Sequence, residues 1–339
     1  MALKKKQITI KDIAKLLGIS KSTVSRALKD HPDISPETKS AVKNVADSFH
    51  YRPSQVAISL RSRKSRVIGL IIPKIYSFFF PTVINGIESI AHEYGYNLMI
   101  LQSNESYENE VHNTNIMLAN NVEGVLACVS RKTRDFSHFA NISEEGIPVV
   151  FFDRVPSGLM GDMVMVDDVK GAYEATSHLI ETGRHRLAIC IGNPDLLISI
   201  NRLKGFTQAL RDHDVPFMKE YVISGESPEE AASETAKLLD LEIPPDGLFA
   251  ISDLTMSGIM REIYRRKVKV PEQLALVGFC EEVFSLMYQP QLTAVLPMGF
   301  EIGRTAAERL FHHIADSSGQ NHTPETILIE SPLVIREST

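Results

Sequence analysis

The sequence predicts a small all-α helix-turn-helix headpiece followed by a larger two-lobed α/β domain, and three observations carry that prediction. Three short amphipathic helical patterns with separate caps open the chain. From Val67 onward, short apolar strands alternate with amphipathic helices, the pattern of parallel sheets wrapped by helices. Charge also changes sign along the chain: residues 1–66 hold 15 Lys and Arg against 5 Asp and Glu, the remainder 21 against 37. At 339 residues the chain exceeds one ordinary compact domain and suffices for a small unit plus a bilobal one.

Thr9 is placed to cap a first helix in which Ile10, Ile13, Ala14 and Leu17 share one face, with Asp12 completing a capping box. Gly18 ends it. Ser20 caps a second helix whose Val24, Ala27 and Leu28 face inward, leaving Lys21, Ser22, Ser25, Arg26 and Lys29 outside. Ser35, Pro36 and Glu37 supply the cap, the pre-set first turn and the dipole-matched acid of a third helix, whose Val42, Val45, Ala46 and Phe49 complete a small core. Two helices joined by the short Gly18-Ile19-Ser20 link, with donors exposed on the second, have the geometry that lays a helix in the major groove. A plain three-helix bundle would share this core. The exposed basic face and the net charge of +10 over residues 1–66 favour a phosphate-binding role, and the net −16 of the rest limits indiscriminate attachment to nucleic acid.

In the body, strands are expected at 67–72, 97–101, 124–128 and 149–152, then at 164–166, 187–191, 247–251 and 274–277, with helices between. The series restarts near Val166, so two similar lobes are more natural than one very wide sheet. A hydrophobic fraction of 43% with 23% charged residues suits a substantial buried core. No apolar run approaches the roughly 20 residues of a membrane helix, and residues 1–6 lead into a polar helix instead of a signal-peptide core, so no membrane contact and a cytoplasmic location are expected. Cys128, Cys190 and Cys280 are odd in number and widely spaced, which favours buried thiols over disulfides. The chain has no P-loop, no G-x-G-x-x-G after a strand and no nucleophile elbow, and His178, His185, His312 and His313 lack metal-ligand spacing. No catalytic residue, metal or cofactor is expected. An exported solute-binding protein would need a signal segment, and a purely architectural DNA-binding protein would leave the body idle.

The segment ITIKDIAKLLGISKSTVSRALKDHPDISPETKSAVKNVADSFHYRPSQVAISLRS resembles the headpiece and hinge of the LacI/GalR repressor family. The order and spacing of FFFPTVINGIESIAHEYGYNL, IPVVFFDR, VDDVKGAYEATSHLIETG, NRLKGFTQAL, VPEQLALVGF, QLTAVLPMGFEIGRTAAERL and PLVIREST are similar to that family's periplasmic-binding-protein-like (type I) effector domain. The resemblance implies a DNA-binding headpiece over 1–53, a hinge helix and linker over 54–66, and an effector-binding and dimerisation domain over 67–339. Within the last, the N-lobe would comprise 67–165 plus 297–322 and the C-lobe 166–291 plus 325–339, the chain crossing three times.

On the same resemblance, Lys21, Ser22 and Arg26 reach base edges while Thr9, Ser20, Thr23 and Ser25 hold the DNA backbone. Arg26 has the strongest chemistry, since a guanidinium donates two hydrogen bonds to guanine O6 and N7; a surface phosphate contact is its alternative. Leu60 would wedge between base steps in the minor groove, and Ser54 stands where the family usually has asparagine. A flexible basic linker is the alternative for the hinge. Effector positions of the family match Phe79, Asp167, Arg202 and Asp253. Many relatives carry Asp after the glycine-aromatic pair where this chain has Cys280 followed by Glu281 and Glu282, so either Glu281 replaces that carboxylate or the effector is of another type. Core packing for Phe79, an inter-lobe salt bridge for Arg202 and a helix cap for Asp253 are the alternatives. The function implied is a sequence-specific regulator, with repression the family default. Its partners would be a pseudo-palindromic double-stranded operator, a second copy of the chain, and a small effector, a sugar or sugar derivative, bound between the lobes.

Overall fold

A computed structural model of the chain describes residues 8–51, 64–76, 78–155, 161–316 and 323–339. Ser54 and Leu60, the two hinge residues singled out above, lie outside the described residues. Contacts divide the chain into two compact units, Met1–Ser65 and Arg66–Thr339.

The first unit holds α1 (Ile10–Leu17), α2 (Lys21–Leu28) and α3 (Pro36–Ser48). The start of α1 is set by Asp12, whose carboxylate accepts from the Thr9 amide at 2.9 Å and the Thr9 hydroxyl at 2.6 Å. Gly18, at φ 65°, ends it in the left-handed region that glycine enters without a Cβ clash. Ser20 Oγ accepts from the Thr23 amide at 3.0 Å and Ser35 Oγ from the Thr38 amide at 3.3 Å, starting α2 and α3. Ile13, Ala14, Val24, Ala27, Val42 and Ala46 are buried together. Each large aliphatic among them contributes about 1.5–3 kcal/mol of transfer free energy. Phe49 departs from expectation: it is 55% exposed. Helix α3 stops at Ser48 and Phe49 is its C-cap, so the helical phase that would turn the ring inward has ended, and Tyr51 packs on the core in its place.

The second unit is built on two sheets. The first, ordered β11-β5-β4-β3-β1-β2, joins β1 (Val67–Ile72), β2 (Asn97–Gln102), β3 (Val125–Ala127), β4 (Val149–Phe152), β5 (Asp162–Val166) and β11 (Thr326–Ile329). The second, ordered β12-β10-β9-β8-β6-β7, joins β6 (Leu187–Ile191), β7 (Val222–Ser224), β8 (Gly247–Ala250), β9 (Ala275–Phe279), β10 (Thr293–Val295) and β12 (Leu333–Val334). Every pairing is parallel except β10 with β12. Covered on both faces by helices, the central strands are unbroken apolar runs, VVFF and LAICI among them, and are fully buried.

The first lobe carries α4 (Phe79–Glu93), α5 (Tyr107–Ala119), α6 (Ser137–Glu144) and α12 (Gly299–Ala315); the second carries α7 (Asp168–Glu181), α8 (Leu197–Asp212), α9 (Pro228–Leu239), α10 (Asp253–Arg266) and α11 (Glu282–Leu286). Helices α4 and α12 approach so closely that a Cβ on Gly86 would lie 2.1 Å from the Phe300 carbonyl oxygen, and one on Gly303 2.1 Å from that of Val83. Glycine is required at that crossing.

The lobe boundary differs from expectation in one place. Residues from 325 onward were expected in the second lobe, yet β11 pairs in parallel with β5, Ile327 opposite Val164, and belongs to the first. The edge of the first sheet is free to take a parallel strand there, and only β12, after the short link of Glu330, Ser331 and Pro332, returns to the second sheet. The chain therefore crosses between lobes after β5, after β10 and after β11. Among the described residues no helix is long and apolar enough to cross a membrane.

Candidate functional site

On the headpiece, α2 buries Val24 and Ala27 and leaves Lys21, Ser22, Arg26 and Lys29 exposed, with Thr23 and Ser25 at the margin. The hydroxyls at its start are already in mutual contact: Ser20 Oγ lies 2.6 Å from Ser22 Oγ and 2.8 Å from Thr23 Oγ1. Capping thus presets the geometry of three residues assigned to DNA from the sequence, while Lys21 and Arg26 extend as long cationic donors.

In the second unit a cavity of about 180 Å3 opens between the lobes. Its walls are the segments that follow the carboxyl ends of the parallel strands of both sheets, where open α/β folds place ligands. Of the five residues named from sequence, Phe79, Arg202 and Asp253 line it. Phe79 does so from the first turn of α4, its ring edge-on to Phe80 at 5.4 Å, so it is both cavity wall and partly buried packing.

Arg202 is buried, 5% exposed, on α8. Its Nε donates to Asp168 Oδ1 at 2.7 Å, its Nη1 donates to the Ile251 carbonyl, and its guanidinium carbon stands 3.6 Å from the Phe279 ring centroid. The ion pair lies within the second lobe, so the expected inter-lobe alternative does not describe it. Burial raises the Asp168 carboxyl to about 6 in spite of the arginine beside it. Asp253 opens α10, but the cap is Ser252. The Asp253 carboxylate accepts from the Glu281 amide at 3.1 Å, and burial raises its pKa to about 6.

The other two, Asp167 and Glu281, stand outside the cavity lining, contrary to expectation. Asp167 does not line the cavity: as the N-cap of α7 it accepts from the Lys170 amide at 3.0 Å, which holds its carboxylate against the helix end, and the buried acid one residue later takes Arg202. Glu281 does not line it either. It occupies the N-cap position of α11, and Thr82 Oγ1 of the other lobe donates to its Oε1 at 3.2 Å. Burial, reinforced by Asp253, pushes its pKa up to about 7. Cys280 is fully buried and its thiol is raised well above the ordinary range by that burial.

The cavity also gathers residues that the sequence reading passed over: Lys74, Glu105, Arg131, Asp153, Arg154 and Glu226. Arg154 grips Glu105 through both terminal nitrogens at 3.1–3.2 Å. Burial works to raise the Glu105 carboxyl, but Arg154 and Arg131 outweigh it and leave it below the ordinary range. Asp153 is raised by burial, with the Cys128 thiol donating to it at 3.5 Å. A signal for Asp153 and Arg154 was present, since both directly follow the apolar run VVFF at a strand's carboxyl end. Among the described residues no group of three or more His, Cys, Asp or Glu could hold a metal ion.

Comparison with known proteins matches residues 9–54 to the family model for bacterial regulatory proteins of the lacI family and residues 176–339 to a periplasmic binding protein-like domain. The transcriptional regulator DegA of Bacillus subtilis is 31% identical, over 98% of this chain and 98% of its own. Among solved structures, the transcriptional regulator CelR in complex with cellobiose is 26% identical at a TM-score of 0.73, covering 98% of this chain and all of that one. The lac repressor dimer bound to operator and anti-inducer shares the fold at a TM-score of 0.86 and 22% identity, over 98% and 99% of the two chains.

Proposed function

The chain belongs to the LacI family of bacterial regulatory proteins, transcription regulators and not enzymes, and from that premise we propose that it is a repressor whose operator affinity is set by a neutral, hydroxyl-rich effector bound between the two lobes. The observation that carries this reading is the cavity itself, built at the strand ends of both sheets on a chain with a basic DNA-binding headpiece. Its chemistry favours a sugar or sugar derivative over an anion. Lys74, Arg131, Arg154 and Arg202 are matched in number by Glu105, Asp153, Glu226 and Asp253, and three of the four cations are engaged by acids. What the site offers is carboxylate acceptors, the half-buried Asp153 and the buried Asp253, beside the aromatic walls Phe79 and Phe279. Carboxylates orient hydroxyls while rings cover the apolar face of a sugar. That the solved CelR holds cellobiose is consistent with this chemistry.

We further propose a homodimer on a pseudo-palindromic operator. One eight-residue reading helix contacts few base pairs, and two-fold symmetry doubles the site. Apolar side chains exposed on both lobes, Tyr76 and Phe78 on one, Val283, Leu286 and Met287 on the other, supply a face for a second copy. Phe78 meets Phe284 edge-on at 5.5 Å, so the two parts of that face adjoin.

The test is a thermal-shift screen of neutral mono- and disaccharides against their phosphorylated counterparts, followed by operator titration with any sugar that raises the melting temperature. Stabilisation by neutral sugars with a change in operator affinity supports the reading. Stabilisation by phosphorylated compounds alone, or a bound sugar that leaves operator affinity unchanged, contradicts it.

A further inference from the structure

The mouth of the cavity is spanned by charge. Arg131, in the segment after β3, is fixed to its own lobe by Glu105, which accepts from its amide at 2.9 Å and pairs with its Nε at 3.2 Å. Its Nη1 then reaches across to Glu226, in the segment after β7 of the other lobe, at 3.1 Å. Glu226 is held in turn, its amide donating to Glu230 Oε2 of α9 at 2.8 Å. Three residues along, Arg134 donates to the carbonyls of Arg131 and Thr133 and stands 3.7 Å from Asp195 of the second lobe. Both cross-lobe cations are thus anchored on one lobe, and both acids stand on the other.

We propose that Arg131 and Glu226, seconded by Arg134 and Asp195, form a latch that favours closure of the lobes over the cavity. Pre-anchoring matters: Arg131 loses little side-chain freedom on meeting Glu226, because Glu105 has already taken most of it. The pair is partly exposed, at 22% for Arg131 and 41% for Glu226, so it biases an equilibrium between open and closed lobes without locking it. An effector then acts on a cleft whose position is biased by the charges at its rim, and only a difference in its affinity for the two positions can move them. Nothing in this inference depends on the effector being a sugar.

The experiment is pulsed EPR on the full-length chain, with spin labels at Glu144→Cys on α6 and Ser233→Cys on α9, one on each lobe. Native Cys128, Cys190 and Cys280 are buried and stay unlabelled. With no ligand present, the distance distribution is compared for Glu226, Glu226→Asp, Glu226→Gln and Glu226→Lys, each checked for an unchanged melting profile. A latch ranks these by charge: Asp keeps the short distance, Gln shifts the open-to-closed ratio about two- to fivefold toward open, and Lys opens the cleft furthest. Raising salt from about 0.1 M to about 1 M, which cuts the screening length from roughly 10 Å to 3 Å, opens the native chain and moves the Gln variant less, since only the Arg134–Asp195 pair is left in it to screen. A packing role would rank them by shape, with Gln indistinguishable from native and Asp and Lys both altered. That ranking, a native chain already open at low salt, or indifference to salt overturns the proposal.

Discussion

Arg202 meets a carboxylate, a carbonyl and an aromatic face at once, and those contacts decide what its removal does to stability. Arg202→Ala would leave Asp168 buried with its cation gone, so a loss of about 3–5 kcal/mol in urea unfolding is expected. A loss below about 1 kcal/mol would show that the pair is solvated. Effector recognition is therefore better tested at Asp253, where Asp253→Asn removes a charge and keeps the shape. Glu281 carries a pH signature. Its carboxyl is raised from 4.5 to about 7 by burial, so the folded chain holds that proton more tightly than the unfolded one. The stability this confers is complete below pH 4.5 and is lost as pH rises through about 7. Glu281→Gln lacks this loss, so its stability relative to native should grow from pH 5 to pH 8, by on the order of 3 kcal/mol. A difference that stays flat with pH would mean the carboxyl is not raised. Arg202 and Asp253 were legible in the sequence because each stands at a strand end or in a distinctive word. Asp167 and Asp168 were not separable there, since one residue of helical phase decides which acid caps α7 and which turns inward. Glu105, Arg131 and Glu226 come together only through the packing of three different loops, and no local spacing announces that.

At the level of elements, α2 carries the clearest expectation. Arg26→Ala should cost about 1–3 kcal/mol on the selected operator and relax preference at one base pair per half-site. Equal weakening on operator and random duplexes, measured by anisotropy at fixed salt, would make Arg26 a phosphate contact instead. Ser20→Ala should destabilise the headpiece by about 1 kcal/mol, because one hydroxyl caps α2 and orients Ser22 and Thr23. Caps and the long apolar strands were readable because they depend on neighbours in sequence: Thr9 with Asp12, Ser20 with Thr23, the runs of β1, β4 and β6. The edge and crossing strands were not. β7, β10 and β12 span two or three residues each, too few for any periodicity, and β11 is assigned to a lobe only by its partner β5.

For the whole molecule, a basic reading unit and an acidic ligand-binding unit share one chain, and regulation requires that they report to each other. Coupling is reciprocal: an effector that changes operator affinity by a given factor must see its own affinity changed by the same factor when DNA is bound. The family's two-unit organisation was legible along nearly the whole chain, whereas effector chemistry was not, because it depends on which buried groups remain unpaired after folding. On the proposed function, operator binding is sequence-specific and made by a two-fold symmetric pair of chains. Repeated selection of bound duplexes from a random library by the full-length chain, with stoichiometry taken from sedimentation of the enriched complex, checks this. The expected result is a pseudo-palindromic site bound by two chains, at least about 10³-fold more tightly than random duplex at physiological salt. Failure to enrich any sequence, with affinity governed by salt alone, or a single chain bound at saturation to an asymmetric site, would contradict it.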